Sequence, residues 1–107
     1  MIFIDEGFVA ERIAQLRMQK GVSARDMSLS IGQSNNYINS IENRKTLPSM
    51  RGFFYICEYL EVTPQEFFDE GNPCPECLRG FLQEARKLDR SSFQAIMTLM
   101  KKINEKK

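Results

Sequence analysis

The chain has 107 residues, a formal net charge of +1 and 42% hydrophobic side chains, which predicts one compact domain with a small appendage and argues against disorder. No apolar run approaches the roughly 20 residues of a membrane span, and no basic flank precedes a long apolar segment at the start, so the expectation is a cytoplasmic protein with reduced cysteines. There is no histidine, which removes the commonest general base and the commonest metal ligand.

Residues 5–20 read as a first helix. Asp5 is placed to cap it, Ile4 and Val9 have the spacing of a hydrophobic staple, and Val9, Ile13 and Leu16 make a core stripe with Phe8 beside it. Gly21 ends it. Ser23 then caps a second helix, with Asp26 three residues on as the partner of a capping box. Met27 and Ile31 share one face of that helix, and Gly32 stands where a left-handed residue closes a helix. Ser34 caps a third helix, over about 34–42, whose Tyr37, Ile38 and Ile41 point inward. Ser28 is small and sits where the second and third helices cross. The outward positions of the third helix are Ser34, Asn35, Asn36, Asn39 and Ser40. A face so rich in short hydrogen-bonding groups and so poor in charge suits the reading of base edges in a DNA major groove.

Pro48-Ser49 opens a fourth helix, about 49–60, on which Met50, Phe53, Phe54, Ile56, Cys57 and Leu60 form a broad core stripe; Cys57 reads as an inert small hydrophobe. Thr63-Pro64-Gln65-Glu66 is a capping box with proline at the first helical position. It begins a short fifth helix in which Phe67 and Phe68 close the core. The breaker cluster Asp69-Glu70-Gly71-Asn72-Pro73 marks a boundary. A sixth helix follows, from Pro75 to about Leu88, with Leu78, Phe81, Leu82, Ala85 and Leu88 at helical spacing. Ser91-Ser92-Phe93-Gln94 reads as the capping box of the last helix. Its apolar residues Phe93, Ile96, Met97, Leu99, Met100 and Ile103 span an arc too wide for one neighbouring helix to cover. Two helices of this length have little core of their own, so they are expected to pack on the first domain, on a second copy, or on both, as a dimerisation element. The closing Lys101, Lys102, Lys106 and Lys107 suit a helix C-terminus and a solvated tail.

From about residue 9 to 69 the chain resembles the phage-repressor family of helix-turn-helix regulators, the Cro and xenobiotic-response-element type. The resemblance is carried by RIAQLRMQKGVS at 12–23, the helix-turn-helix SARDMSLSIGQSNNYINSIE at 23–42, IENRKTLPSM at 41–50 and YLEVTPQEFF at 59–68. It implies an all-α fold: a five-helix lambda-repressor-like DNA-binding domain over 1–70, followed by a C-terminal two-helix extension over 71–107. It implies a transcriptional regulator, of the repressor kind, that binds a double-stranded DNA operator as a homodimer. Base contacts fall to Ser34, Asn35, Asn36, Asn39 and Ser40, and phosphate contacts to Arg25, Arg44 and Lys45. Arg17 and Glu42 match the positions of a structural ion pair. The chain departs from the family pattern where Ala24 replaces a phosphate-touching glutamine and Ser40 a lysine. Arg44 and Glu61 stand where glycines are usual, which transfers the left-handed cap after the third helix to Asn43.

Charge is divided unevenly. Residues 1–70 carry seven basic and ten acidic side chains, and 71–107 carry eight and four, so DNA binding requires the basic groups to gather on one face. The acidic first part and the uncharged helix face also fit an alternative, a protein-interaction module of the same fold, antirepressor-like or antitoxin-like. Cys74-Pro-Glu-Cys77 has the spacing of a zinc knuckle or a redox pair, yet a structural zinc needs four ligands. Only Cys57 remains, and it falls on a core stripe, so two reduced thiols are expected and no metal. No nucleophile–base pair, phosphate-binding glycine loop or carboxylate cluster is visible. The expectation is a non-enzyme with no cofactor and no small-molecule ligand.

Overall fold

A computed structural model describes residues 4–69 and 74–106, in which there are helices and turns and no strand. The backbone divides into two units, one ending at Pro75 and the other beginning at Glu76.

The first unit holds α1 (Glu6–Lys20), α2 (Ala24–Ser30), α3 (Tyr37–Glu42), α4 (Met50–Leu60) and α5 (Pro64–Phe67). Local chemistry sets most of these limits. The Asp5 carboxylate accepts the Phe8 N–H at 3.0 Å, and Gly21 at φ +79° closes α1. Ser23 Oγ accepts the Asp26 N–H, and Ser49 Oγ accepts the Gly52 N–H at the start of α4. Thr63 and Glu66 form a reciprocal capping box around Pro64. Each cap satisfies an N–H that the helix itself leaves without a partner.

Ile13, Leu16, Met27, Ile38, Ile41, Phe53, Ile56, Cys57, Leu60 and Phe67 form the buried core, with Phe8, Val9 and Tyr37 packed at its edge. Cys57 is buried, and burial pushes its thiol up to about 11, so it is un-ionised and inert near neutral pH. The stripe on α4 is narrower than the sequence suggested. Met50 and Phe54 are 66% and 51% exposed, and Gly52 is buried on the inward arc instead. Phe67 meets Phe53 edge-on at 5.0 Å between ring centres. Phe68 keeps over a third of its surface exposed while stacking on Phe8.

Arg12 is the unexpected member of the interior. It is 3% exposed, and its guanidinium donates to the Phe67 carbonyl at 2.6 Å, the Glu66 carbonyl at 2.8 Å and Gln15 Oε1 at 2.6 Å. A buried charge is tolerated only with such partners. Burial lowers its pKa, against the opposing charge of Asp69. These bonds tie the end of α5 to the middle of α1.

The second unit carries α6 (Pro75–Ala85), all but its first residue, and α7 (Arg90–Glu105). Two helix limits differ from expectation here. First, α6 ends at Ala85, short of Leu88, in turns closed by the Lys87 and Leu88 N–H groups on the Glu84 and Ala85 carbonyls. Second, α7 is capped by Asp89, which accepts the Ser92 N–H at 2.7 Å; Ser91 and Ser92 lie inside the helix. An aspartate ranks with serine as a cap and adds negative charge at the positive helix end. The same bond holds the Asp89 carboxyl below its ordinary range.

No residue of α7 is buried. An open apolar groove of about 270 Å³ is lined by Phe81, Leu82, Leu88, Phe93, Met97 and Met100. Cys74 and Cys77 are disulfide-bonded rather than reduced. Two cysteines three apart at a helix start fall on one face, which brings the sulfurs together. Among the described residues no His, Cys, Asp or Glu cluster could hold a metal, and no helix is long and apolar enough to cross a membrane.

Candidate nucleic-acid interface

The turn between α2 and α3 is built on Gly32, at φ +78°. Its N–H reaches the Leu29 carbonyl at 3.0 Å, and the Gln33 N–H reaches the Ser28 carbonyl at 2.9 Å. These bonds satisfy the last carbonyls of α2 and reverse the chain.

α3 begins two residues later than a cap at Ser34 predicts. Its N-cap is Asn36, at φ −100° and ψ 2°, with no side-chain cap bond. The Tyr37 N–H donates to the Ser34 carbonyl at 3.1 Å, so Ser34–Tyr37 form a tight turn that leads into the helix. Consecutive asparagines favour turns because their short amides compete with helical hydrogen bonding. The consequence is that Ser34, Asn35 and Asn36 sit on the approach to α3, and Asn39 and Ser40 on its first turns. Ser34, Asn35, Asn36 and Asn39 are exposed; Ser40 is half-buried.

The opposite side of α3 is fastened at three places. Ser28 Oγ accepts the Ile38 N–H at 2.9 Å and donates to the Ala24 carbonyl at 2.7 Å. A fully buried serine therefore does more than allow close packing: it gives a first-turn N–H of α3 the partner it lacks. At the far end, Arg17 Nε and Nη2 donate to the two Glu42 carboxylate oxygens at 2.7 and 3.0 Å. Arg17 Nη1 also reaches the Val22 carbonyl at 2.9 Å. Both side chains are only 14% exposed, and the hydrogen bond to Glu42 raises the Arg17 pKa. The two-pronged geometry fixes direction as well as distance. The third fastening is Tyr37, whose hydroxyl lies against the backbone of α4 at Gly52.

The loop after α3 corrects the assignment of the left-handed residue. Asn43 has φ −90°, and Arg44 has φ +62°. The Lys45 N–H bonds the Ser40 carbonyl and the Arg44 N–H the Ile41 carbonyl, both at 3.0 Å. That closure requires its left-handed residue one place after the cap, whatever side chain stands there. Glu61 takes the same role after α4, at φ +60°.

Arg44 folds back toward α1: its Nη2 lies 3.2 Å from Glu11 Oε1, in a largely exposed pair. Lys45 and Arg25 are exposed, Arg25 in the first turn of α2. Sequence reasoning missed Arg12 and the Tyr37–Gly52 contact. Both had signals. Arg12 falls on the Val9, Ile13 and Leu16 stripe, and Gly52 is an isolated glycine inside a helical pattern, a mark of close approach.

Two helices joined by a glycine turn, the second held from behind and bare on its polar side, define the helix-turn-helix class of DNA-binding domains. Residues 10–72 match the family described as helix-turn-helix domain, and the chain belongs to that family, as its phage-repressor-like motifs imply. Neither a curated protein nor a solved structure matches the chain.

Proposed function

We propose that this chain is a sequence-specific transcriptional regulator, acting as a repressor, that reads the major groove of an operator with α3 and the turn before it. Asn36 and Asn35 pair with adenine edges, and Ser34, Asn39 and Ser40 reach neighbouring bases. Arg25, Arg44 and Lys45 hold the phosphates and so set the docking register. The chain works as a homodimer joined through residues 71–107, on half-sites about one helical turn, ~34 Å, apart.

One observation carries this reading: Ser34, Asn35, Asn36 and Asn39 are all exposed on α3 and its approach, while its back is fastened by Ser28 and Arg17. A rigid mount with free hydrogen-bonding groups is what base readout needs. Selection of bound sites from random duplex DNA, followed by binding of wild type and Asn36→Ala, tests it. The expected result is an enriched operator that Asn36→Ala discriminates from random DNA about tenfold less well, the worth of one good base contact. Equal loss on operator and random DNA, or no enrichment, contradicts it.

The second reading, a protein-interaction module, is favoured by the Arg44–Glu11 pair and by the exposed apolar face of α7. Salt dependence separates the two, since a chain that neutralises several phosphates loses affinity steeply as salt rises.

A further inference from the structure

We infer that Gly52 and Tyr37 form a notch-and-peg contact that sets the angle at which α3 is presented, and with it the discrimination between DNA sequences; this rests on the reading of α3 as the groove-reading helix. Gly52 lies inside α4, at the third helical position, where nothing in the backbone asks for glycine. An interior glycine costs a helix about 1 kcal/mol relative to alanine, so space is the reason for it. A Cβ at Gly52 would lie 2.4 Å from the Tyr37 hydroxyl oxygen, 3.2 Å from Ser49 Oγ and 3.7 Å from Pro48 Cβ. Gly80, also inside a helix, has nothing within 4 Å of the same position. Gly7, in α1, has its nearest neighbours at 3.2 and 3.3 Å, so among the described residues Gly52 is the glycine whose Cβ would meet another atom closer than 3.0 Å.

Tyr37 is the first residue of α3. Its ring packs at the edge of the core, and partial burial raises the pKa of its hydroxyl. A tyrosine has two side-chain torsions, so its end cannot retreat as a lysine's could. Pushed away from α4, the peg must turn its ring out of the core or carry the start of α3 with it. Ser28 holds the next residue along by its N–H, and Arg17 holds the far end through Glu42. Those two ties fix the ends of α3, Ile38 and Ile41 bury its inward face, and Tyr37 against Gly52 adds a stop on the side toward α4 that limits its rotation about its own axis. Asn36, the adjacent residue, is the first to be displaced by any rotation.

The test uses the full chain in four forms: wild type, Gly52→Ala, Tyr37→Phe, and the double variant. Backbone amide shifts of residues 34–42 are read in the free protein. Affinities for the selected operator and for random duplex are read at one salt concentration. Gly52→Ala should retain its helical content, move the amide shifts of 34–42 and lower the operator-to-random ratio about tenfold, one base contact's worth. Removing the hydroxyl removes the atom that the new methyl group meets. Gly52→Ala in the Tyr37→Phe background should therefore leave the shifts and the ratio close to those of Tyr37→Phe alone, a strong coupling between the two positions. The inference is overturned if Gly52→Ala leaves the shifts unchanged, or if its effect is the same with and without the Tyr37 hydroxyl. If wild type selects no operator, the function proposed above fails; the coupling in the amide shifts still decides whether the notch orients α3.

Discussion

Glu42 sits at the negative end of α3, beside the face assigned to DNA phosphates, where a free carboxylate would repel the backbone it approaches. Arg17 neutralises it in a pair of short bonds. With both partners mostly shielded from water, this is not one of the surface ion pairs that contribute little. Arg17→Met should destabilise the fold by about 2 kcal/mol, the worth of charge-assisted hydrogen bonds left half-made, as read by urea denaturation. A loss below about 0.5 kcal/mol would place the pair with ordinary surface bridges. Ser28 and Arg12 follow the same logic, since each satisfies backbone groups of another element. This is the scale at which the sequence was hardest to read. A serine at a helix crossing signals small size, and nothing in its neighbours announces that its oxygen meets the Ile38 N–H. Arg17 and Glu42 were legible only through the family resemblance, for 25 residues separate them.

At the scale of elements, the two left-handed residues that are not glycine among those described offer a dissociation of stability from binding. Arg44 and Glu61 close α3 and α4 at positive φ, a conformation that costs an L-residue about 1–2 kcal/mol. Arg44→Gly and Glu61→Gly should each raise stability by about 1 kcal/mol, less the extra chain entropy that glycine loses on folding. Arg44→Gly should weaken binding to all DNA alike and reduce the salt slope by about one. Glu61→Gly should leave binding unchanged. Matched salt titrations of the two variants check this, and identical binding by both would remove Arg44 from the phosphate contacts. Helix existence in the first unit was legible from caps and periodicity, because Asp5, Ser23, Ser49 and Thr63 each begin a strongly patterned stretch. The start of α3 was not. Ser34 has the right side chain for a cap, yet Asn35-Asn36 takes up turn geometry first. Asp89 likewise outcompeted Ser91 for α7, two adequate caps lying two residues apart.

Over the whole molecule, acidic side chains outnumber basic ones in residues 1–70, and the reverse holds in 71–107. A single reading unit of this kind has few phosphate partners to draw on, so tight binding calls for two copies acting together, with the second site held at high local concentration. The exposed Leu99 and Ile103 of α7 are the side chains we assign to that pairing. Leu99→Glu combined with Ile103→Glu should give a monomer by sedimentation and lower operator affinity at least tenfold, in proportion to the lost local concentration. A dimer that persists would move the interface elsewhere. Whether the amide-rich face of α3 meets DNA is read by amide chemical-shift mapping of the full chain titrated with its selected duplex. Perturbations should concentrate at residues 34–40, with Arg25, Arg44 and Lys45 at their margin. Perturbations confined to α6 and α7, or none at 34–40 under saturating DNA, would contradict that contact.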